Sequence, residues 1–350
     1  MAPGVARAAD NSGLGPFSVR NQFPLSLPYL SFLPEVPGTL GAGGVRAAYQ
    51  YAIANTFINT QSPERSTSPV IDEATVAGGL TAANFAAQGY GAYLDVETVR
   101  HQLLLRYGLL DSVELGLDLA WVTFGGGGLD SMIESVEMSV GGFNEDRSHA
   151  AQDRFDMYLA RDGRLLVDTS EPATALPQDP VLNLKWNWGE GGELLPLVTL
   201  KLSYKVPLES DPSRPRNLVS SGRADYGYAL LAAKQIGSVV AHLQIGHNHL
   251  DVAGNDYNTD LEFKLFALEF RAAEHHSWLL QIMSQSSLFR SAAFNARPGD
   301  FLLSRPTDAL TAGYRFQGSS VGFDLGFVED LNQNQNETDI ILFTELSWQW

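Results

Sequence analysis

The chain has 350 residues and no cysteine, which excludes disulfides, iron–sulfur clusters and thiol chemistry. Positive charge is also scarce, because 23 Lys and Arg stand against 40 Asp and Glu, for a net charge of −17. This acidic balance argues against nucleic acid as a partner. The sequence lacks a run of about 18 apolar residues, which excludes a membrane-spanning helix. It does not exclude a membrane-spanning barrel, whose strands need only about 9–11 alternating residues.

Beyond its first 40 residues the sequence alternates apolar and polar residues in segments, as β-strands with one apolar face do. Residues 112–124 show this most clearly, with Leu117 on one face and Asp118 on the other. Residues 260–272 carry apolar residues on both faces, which we interpret as a bulge near Leu265-Phe266. We predict strands over residues 43–54, 92–107, 112–124, 181–188, 196–206, 223–234, 238–250, 260–272, 277–288, 308–316, 320–329 and 340–350.

The connections between these twelve predicted strands alternate between short ones, such as 108–111, and mostly longer ones, such as 125–180. All short turns then lie at one end, as in a barrel with short periplasmic turns and longer extracellular loops. We therefore predict an all-β protein, a twelve-stranded antiparallel transmembrane β-barrel in the outer membrane of a Gram-negative cell. A soluble secreted β-sandwich that serves as a binding module is the alternative architecture, because sandwiches are also built from amphipathic strands.

The last predicted strand ends in Trp348 and Trp350, with Leu346 on the same apolar face. A terminal amphipathic strand closed by an aromatic residue resembles the last strand of Gram-negative outer-membrane barrels. In those proteins this strand closes the barrel and is read by the assembly machinery. The resemblance implies two sets of partners, which are the barrel-assembly machinery and the outer-membrane lipids with lipopolysaccharide.

Two parts of the chain fall outside the strand pattern, and we treat residues 1–40 as one of them. Residues 1–8 are interpreted as an export-signal remnant, and the proline-rich stretch that follows is expected either to plug the barrel or to dock on a periplasmic partner. The other part is the long loop 125–180, for which we predict a helix after Ser131 and a hairpin that turns at residues 161–164. Residues 41–350 as a whole form the predicted barrel.

Several short motifs stand out along the chain, at Gly15-Pro16-Phe17, 20–25, 95–98, 106–109, 114–117, 127–130 and Ile133-Glu134. Together they resemble an uncharacterised family of Gram-negative outer-membrane β-barrel proteins that is catalogued only as a domain of unknown function. After Glu134 the family pattern leads us to expect a Phe-His pair, whereas this chain has Val136-Glu137. The resemblance implies an outer-membrane barrel and no particular activity.

If the apolar faces contact lipid, the opposite faces line the lumen. Two interpretations stay open, a packed polar network or a path for a small solute, with the basic residues favouring anions. The predicted function is a small channel or transporter for small polar or anionic solutes, or a non-conducting surface-interaction protein. The predicted lumen-lining residues are Arg46, Arg100, Arg106, Glu114, Asp118, Lys185, Lys201, Lys205, Asp225, Arg315, Asp324 and Glu345.

An outer-membrane enzyme that acts on lipid or lipopolysaccharide is the alternative from a different class. A lipid hydrolase needs a serine, a histidine and an orienting polar residue at one membrane interface. His247 and His249 with Asp251 form the only suggestive histidine group, and no serine motif accompanies it. We predict no catalytic residues, no cofactor and no bound metal.

Overall fold

Twelve antiparallel strands form a closed barrel in the computed structural model, and three further strands extend it at one end. The structure describes residues 14–61, 70–87, 89–129, 153–189, 191–192, 194–208, 218–252, 254–290, 302–331 and 338–350. The barrel strands are β1 (Val45–Asn59), β2 (Tyr90–Leu110), β3 (Val113–Gly125), β7 (Val181–Gly189), β8 (Leu197–Lys205), β9 (Asp225–Ile236), β10 (Val239–His249), β11 (Asp260–Ala273), β12 (His276–Gln285), β13 (Thr307–Gln317), β14 (Val321–Asp330) and β15 (Ile340–Gln349).

The barrel closes between its first and last strands, because β1 pairs with both β2 and β15. Beyond the last paired residue, Val45 and Trp350 exchange two backbone hydrogen bonds of 2.9 and 3.0 Å. Every other barrel strand pairs with the barrel strands that precede and follow it in the chain. Strand β3 therefore pairs with β7, the next barrel strand after it. The twelve-stranded antiparallel barrel predicted from the sequence is therefore confirmed, and the alternative of a β-sandwich is wrong.

The connections also alternate as predicted, which gives the barrel two distinct ends. At the short-turn end the strands are joined by residues 111–112, 190–196, 237–238, 274–275 and 318–320. At the long-loop end they are joined by residues 60–89, 126–180, 206–224, 250–259, 286–306 and 331–339.

The long-loop end is extended by three short strands, β4 (Asp156–Arg161), β5 (Arg164–Thr169) and β6 (Ala173–Pro177). Strand β4 continues the sheet by pairing with the first residues of β2, beyond the point where β3 ends. The predicted hairpin is present as β4–β5, and its turn places Asp162 and Gly163 at φ of 49° and 71°. Two positive φ values in a two-residue loop match the twist of a hairpin.

Helical structure is scarce in the described part of the chain. One helix, α1 (Glu73–Ala77), lies in the loop between β1 and β2, and its N-cap Asp72 accepts a hydrogen bond from the amide of Thr75. Single 3-10 turns occur at Pro24–Ser26, Ala82–Asn84 and Leu302–Ser304. The helix predicted after Ser131 lies outside the described residues. Within the described ranges, no helix has the length and apolar character needed to cross a membrane.

The outer face of the barrel is apolar over most of its height, with polar side chains such as His247, His249 and Lys264 towards the long-loop end. Large apolar side chains that alternate along a strand, such as Leu243 and Ile245 on β10, are 45% and 49% exposed, although a water-soluble protein would bury most of them. Aromatic side chains occur on the same face, including the stacked pair Trp186 and Trp188. The two terminal tryptophans Trp348 and Trp350 are exposed there as well.

The predicted bulge near Leu265-Phe266 is wrong. Strand β11 is regular there, and its register shifts instead between Arg271 and Ala273, beside a short turn. Both faces of β11 are apolar for a different reason, because the inward residues Phe263 and Leu265 pack against Phe32 from the start of the chain. An inner face that contacts protein can be as apolar as an outer face.

Candidate functional site

Residues 14–40, here called the N-terminal segment, occupy the lumen. The segment starts at the short-turn end, where Glu269 of β11 accepts hydrogen bonds from the amides of Leu14 and Gly15. It rises until Asn21 meets Thr338 at the long-loop end. It then returns to the short-turn end, where the amide of Leu40 binds Glu114. The segment is thus an irregular hairpin with both of its ends at the same mouth of the barrel.

The segment is packed by apolar side chains over most of its length. Phe17 and Phe32 are almost completely buried, and Phe17 meets Phe343 of β15 with ring centroids 5.2 Å apart. Prolines prevent the segment from forming a strand, so its backbone polar groups need other partners. Barrel side chains supply them: Lys185 Nζ donates to the carbonyl oxygens of Val36 and Gly38 at 3.2 and 2.8 Å.

Glu35 is the only acidic residue of the segment, and it lies among three cations from three strands. Its carboxylate is 2.5 Å from Arg106 Nη2, 3.1 Å from Lys201 Nζ and 3.9 Å from Lys185 Nζ. We call these three cations the Glu35 site. Gln244 fixes the backbone there, because its Oε1 accepts from the amide of Glu35 at 3.1 Å.

Two of the cations in the Glu35 site have further carboxylate partners on the barrel. Arg106 Nη1 lies 2.5 Å from Asp118, and Lys185 Nζ lies 3.0 Å from Glu114. Lys201 differs, since Glu35 is the only carboxylate within 4 Å of its ammonium group among the described residues. Buried charges need such partners, so the charge balance of Lys201 depends on the segment.

The ring of Phe32 fills a pocket next to the Glu35 site. Lys201 contacts both the pocket and Glu35, because its Nζ is 5.7 Å from the centroid of the Phe32 ring and 3.1 Å from the Glu35 carboxylate. Phe263, the cross-strand partner of Gly246 on β11, has its ring centroid 6.1 Å from that of Phe32. The wall beside Phe263 accommodates the Phe32 ring only because two residues lack side chains, since a Cβ at Gly246 or Gly227 would come within 2.7 or 2.9 Å of the ring. We call the space bounded by Gly227, Gly246 and Phe263 the ring pocket.

A small cavity lies between the segment and the barrel wall near the long-loop end. Arg20 of the segment and Arg100 of β2 both line it. Arg20 donates to three carbonyl oxygens of its own segment, and Arg100 donates to Gln178 and Gln102. Neither guanidinium has a carboxylate within 4 Å in the described part of the protein.

The other predicted lumen-lining residues form two groups of opposite charges, because Asp324 and Glu345 are cross-strand partners and bring two of the ion pairs together. Lys205 lies 3.0 Å from Asp225 near the long-loop end. Arg315 binds Asp324 through both Nε and Nη2 near the short-turn end, and its Nη1 donates to the carbonyl of Gly15. Arg46 pairs with Glu345 at 3.3 Å. Of the twelve predicted residues, all except Arg46 are buried.

The sequence reasoning missed the residues that the segment contributes. Glu35 and Arg20 are the only charged residues between 14 and 40. Their isolation among prolines and apolar residues is the feature of the sequence that could have indicated a role in the lumen. It also missed Glu269, which anchors the start of the segment and accepts from Ser277 and His242.

His247 and His249 lie on the outer face of β10, near the long-loop end. Both contact the carboxylate of Asp260, at 3.1 and 3.0 Å, and Asp251 pairs with Arg223 instead. The suggested histidine group is therefore not a group with Asp251. The described residues contain no cluster of three or more His, Asp or Glu arranged to hold a metal ion.

A closed barrel with an apolar outer face and a buried, charged lumen is now established by geometry. The chain belongs to the family described as Protein of unknown function (DUF3187), whose model matches residues 2–350. This membership confirms the resemblance found in the sequence motifs. No curated protein matches this DUF3187 chain in sequence.

Among solved structures, this DUF3187 chain is similar in fold to the COG4313 outer membrane channel from Pseudomonas putida F1. The TM-score is 0.53 at 11% identity, over 90% of this chain and 98% of that one. Weaker likenesses at 11% identity are to the P. putida toluene transporter TodX, with a TM-score of 0.38 over 89% and 91% of the chains, and to LpxR from Salmonella typhimurium, with 0.35 over 87% and 99%. At such identities the likeness concerns the fold alone.

Proposed function

We propose that this chain is an outer-membrane β-barrel of a Gram-negative cell whose lumen is a channel for small polar or anionic solutes, closed by its own N-terminal segment. One observation carries the proposal: residues 14–40 run up and back down the lumen with both ends at the short-turn end. Such a hairpin can withdraw from one mouth without breaking a barrel strand.

The location in the membrane is supported by the outer face. Strands such as β10 and β12 expose successive large apolar side chains, Leu243 and Ile245 on β10 and Leu280 and Ile282 on β12, and only a lipid environment makes that arrangement favourable. Lipids and lipopolysaccharide are then the partners of this face. The short-turn end would face the periplasm, and the C-terminal strand with Trp348 and Trp350 would be read by the barrel-assembly machinery.

The lumen wall supports passage of polar solutes once the segment leaves. Inward side chains of β2, β7 and β8 include Arg106, Lys185 and Lys201, each less than 10% exposed in the closed state. Withdrawal of the segment removes Glu35 from among them and leaves a wall with excess positive charge. A patch of fixed cations on the wall of a pore favours anions.

A cross-link between the segment and the wall tests the proposal. Ser31 Oγ donates to Gln285 Oε1 at 2.9 Å, so cysteines at these two positions can be joined by a short bifunctional thiol reagent. The chain has no other cysteine to interfere. In planar bilayers we expect single-channel openings of Ser31→Cys/Gln285→Cys protein, and their loss after cross-linking.

The two single-cysteine variants, treated with the same reagent, serve as controls and should keep their openings. A chain lacking residues 1–40 should conduct continuously. Absence of conductance both in the full chain and in the shortened chain would refute the channel and leave the non-conducting surface-interaction protein as the better proposal.

We propose passage of solutes rather than catalysis for a specific reason. Ser277 and His242 each bind the carboxylate of Glu269 in the lumen, and neither binds the other. A nucleophile needs a direct hydrogen bond to its base. Incubation with phospholipid and lipopolysaccharide, with analysis for cleavage products, tests this point, and any turnover would favour an enzyme.

A further inference from the structure

We propose that the ring pocket and the Glu35 site together form the binding site of the channel for an aromatic monocarboxylate, and that Phe32 and Glu35 occupy it as stand-ins for such a solute. The inference rests on the proposed channel function and specifies its solute. Withdrawal of the segment would free both halves of the site together.

The charge of the wall gives the first argument. With the segment removed, Asp118 still neutralises Arg106 and Glu114 still neutralises Lys185. Lys201 has no such partner within 4 Å among the described residues, because its only close carboxylate is that of Glu35. Of the three cations around Glu35, withdrawal of the segment therefore leaves one ammonium group uncompensated, which a single carboxylate neutralises.

The shape of the wall gives the second argument. Gly227 and Gly246 lie diagonally across the paired strands β9 and β10, and side chains at either position would fill the space of the Phe32 ring. Phe263 and Leu231 supply an apolar lining. An area of bare backbone at two glycines, bordered by an aromatic ring on the same wall, favours a planar apolar group.

The position of Lys201 gives the third argument, since it connects the halves. Its Nζ is 3.1 Å from the Glu35 carboxylate and 5.7 Å from the centroid of the Phe32 ring. The carboxylate and the ring of the segment therefore contact the same ammonium group. A solute that carries a ring and a carboxylate a few bonds apart can contact Lys201 in the same two ways. Neither a simple inorganic anion nor an uncharged aromatic molecule can do so.

The experiment empties the site in the full-length chain with the double variant Phe32→Ala/Glu35→Gln, which leaves the wall unchanged. Calorimetric titration in detergent compares phenylpropionate with phenylpropanol, which lacks the charge, and with propionate, which lacks the ring. We expect phenylpropionate to bind the double variant at least about tenfold more tightly than either control compound. We also expect weaker binding to the wild-type protein, whose own segment competes.

Substitutions in the same background identify the site. Lys201→Gln should weaken phenylpropionate binding about tenfold, while Lys201→Arg should retain most of it. Lys264→Gln, on the outer face of β11, is the matched control and should bind like the parent. Heat-modifiable migration in gels verifies that each variant contains a folded barrel.

Equal affinity for the three compounds, or unchanged affinity in Lys201→Gln, would overturn the inference. Conductance of the same double variant separates this failure from failure of the proposed function. A conducting variant without selectivity for phenylpropionate leaves the channel standing and removes the solute assignment. A folded variant that does not conduct counts against the channel itself.

Discussion

Glu35 of the N-terminal segment and Arg106 of β2 form an ion pair of 2.5 Å inside the barrel, with both side chains less than 10% exposed. Burial of two charges is costly, and only further hydrogen bonds and neighbouring charges make it favourable. Here Asp118 is the second charged partner of Arg106, and Lys201 is the second charged partner of Glu35. The pair therefore fixes where the returning half of the segment lies in the lumen, because a shift along the barrel axis would leave several charges without partners.

The first prediction concerns Arg106 and its neighbour in the sheet. Arg106→Gln should destabilise the protein by about 3–5 kcal/mol, because it leaves buried carboxylates without their cation. Arg46, which lies directly opposite on β1, has a partly exposed side chain and a single carboxylate partner. Arg46→Gln should cost less, about 1–3 kcal/mol, because it leaves a single buried carboxylate, that of Glu345, without its cation. Urea titrations of protein folded into phospholipid vesicles measure both, and equal losses would contradict the assigned network.

The second prediction concerns the outer face. Leu280 is in the middle of β12 and points outward, whereas Val321 points outward at the first position of β14, next to a short turn. Leu280→Arg should cost about 2–4 kcal/mol and Val321→Arg about 0–1 kcal/mol, because the cost of a charge falls from the midplane towards the interface. The same urea titrations apply. Similar tolerance at the two positions would show that this face does not contact the hydrocarbon core.

The third prediction concerns the ring pocket. A Cβ at Gly246 would lie 2.7 Å from the Phe32 ring, so Gly246→Ala should displace the ring and cost about 1–3 kcal/mol. Hydrogen exchange should then accelerate in residues 14–40, with strand amides unchanged. Gly189→Ala is the matched control, because among the described residues, apart from its chain neighbours, nothing lies within 4 Å of its added carbon. Slow exchange of the segment in Gly246→Ala would mean that the pocket adapts without releasing Phe32.

The barrel was predictable because its strands repeat one simple pattern. In a strand such as β8, Leu200 and Leu202 face outward while Lys201 and Ser203 face inward, so the period of two is visible in the sequence. The alternation of short and long connections then fixes the two ends without any knowledge of contacts. Strand β11 resisted the same analysis, since its inward Phe263 and Leu265 contact the segment rather than water or polar side chains.

The binding geometry was less predictable, because it depends on contacts between residues far apart in the chain. Lys201 could be assigned to the lumen by parity, but its dependence on Glu35 requires the path of the segment through the barrel. A proline-rich segment has no regular spacing of apolar residues from which such a path can be inferred. The roles of Gly227 and Gly246 are hidden for the same reason, since a glycine in a strand does not indicate which ring lies above it.

The last prediction concerns the terminal strand, where two aromatic residues have different roles. Phe343 is buried against Phe17 of the segment, whereas the side chain of Trp350 is exposed on the outer face. Phe343→Ala should cost about 3–5 kcal/mol in vesicles, because it opens a cavity in the lumen. Trp350→Ala should cost only about 1 kcal/mol, since its backbone hydrogen bonds to Val45 remain. If the assembly machinery reads the terminal aromatic, Trp350→Ala should nevertheless lower the amount of folded protein in the outer membrane of cells more than Phe343→Ala does. The opposite order in cells would indicate that assembly depends on the stability of the barrel and not on its last residue.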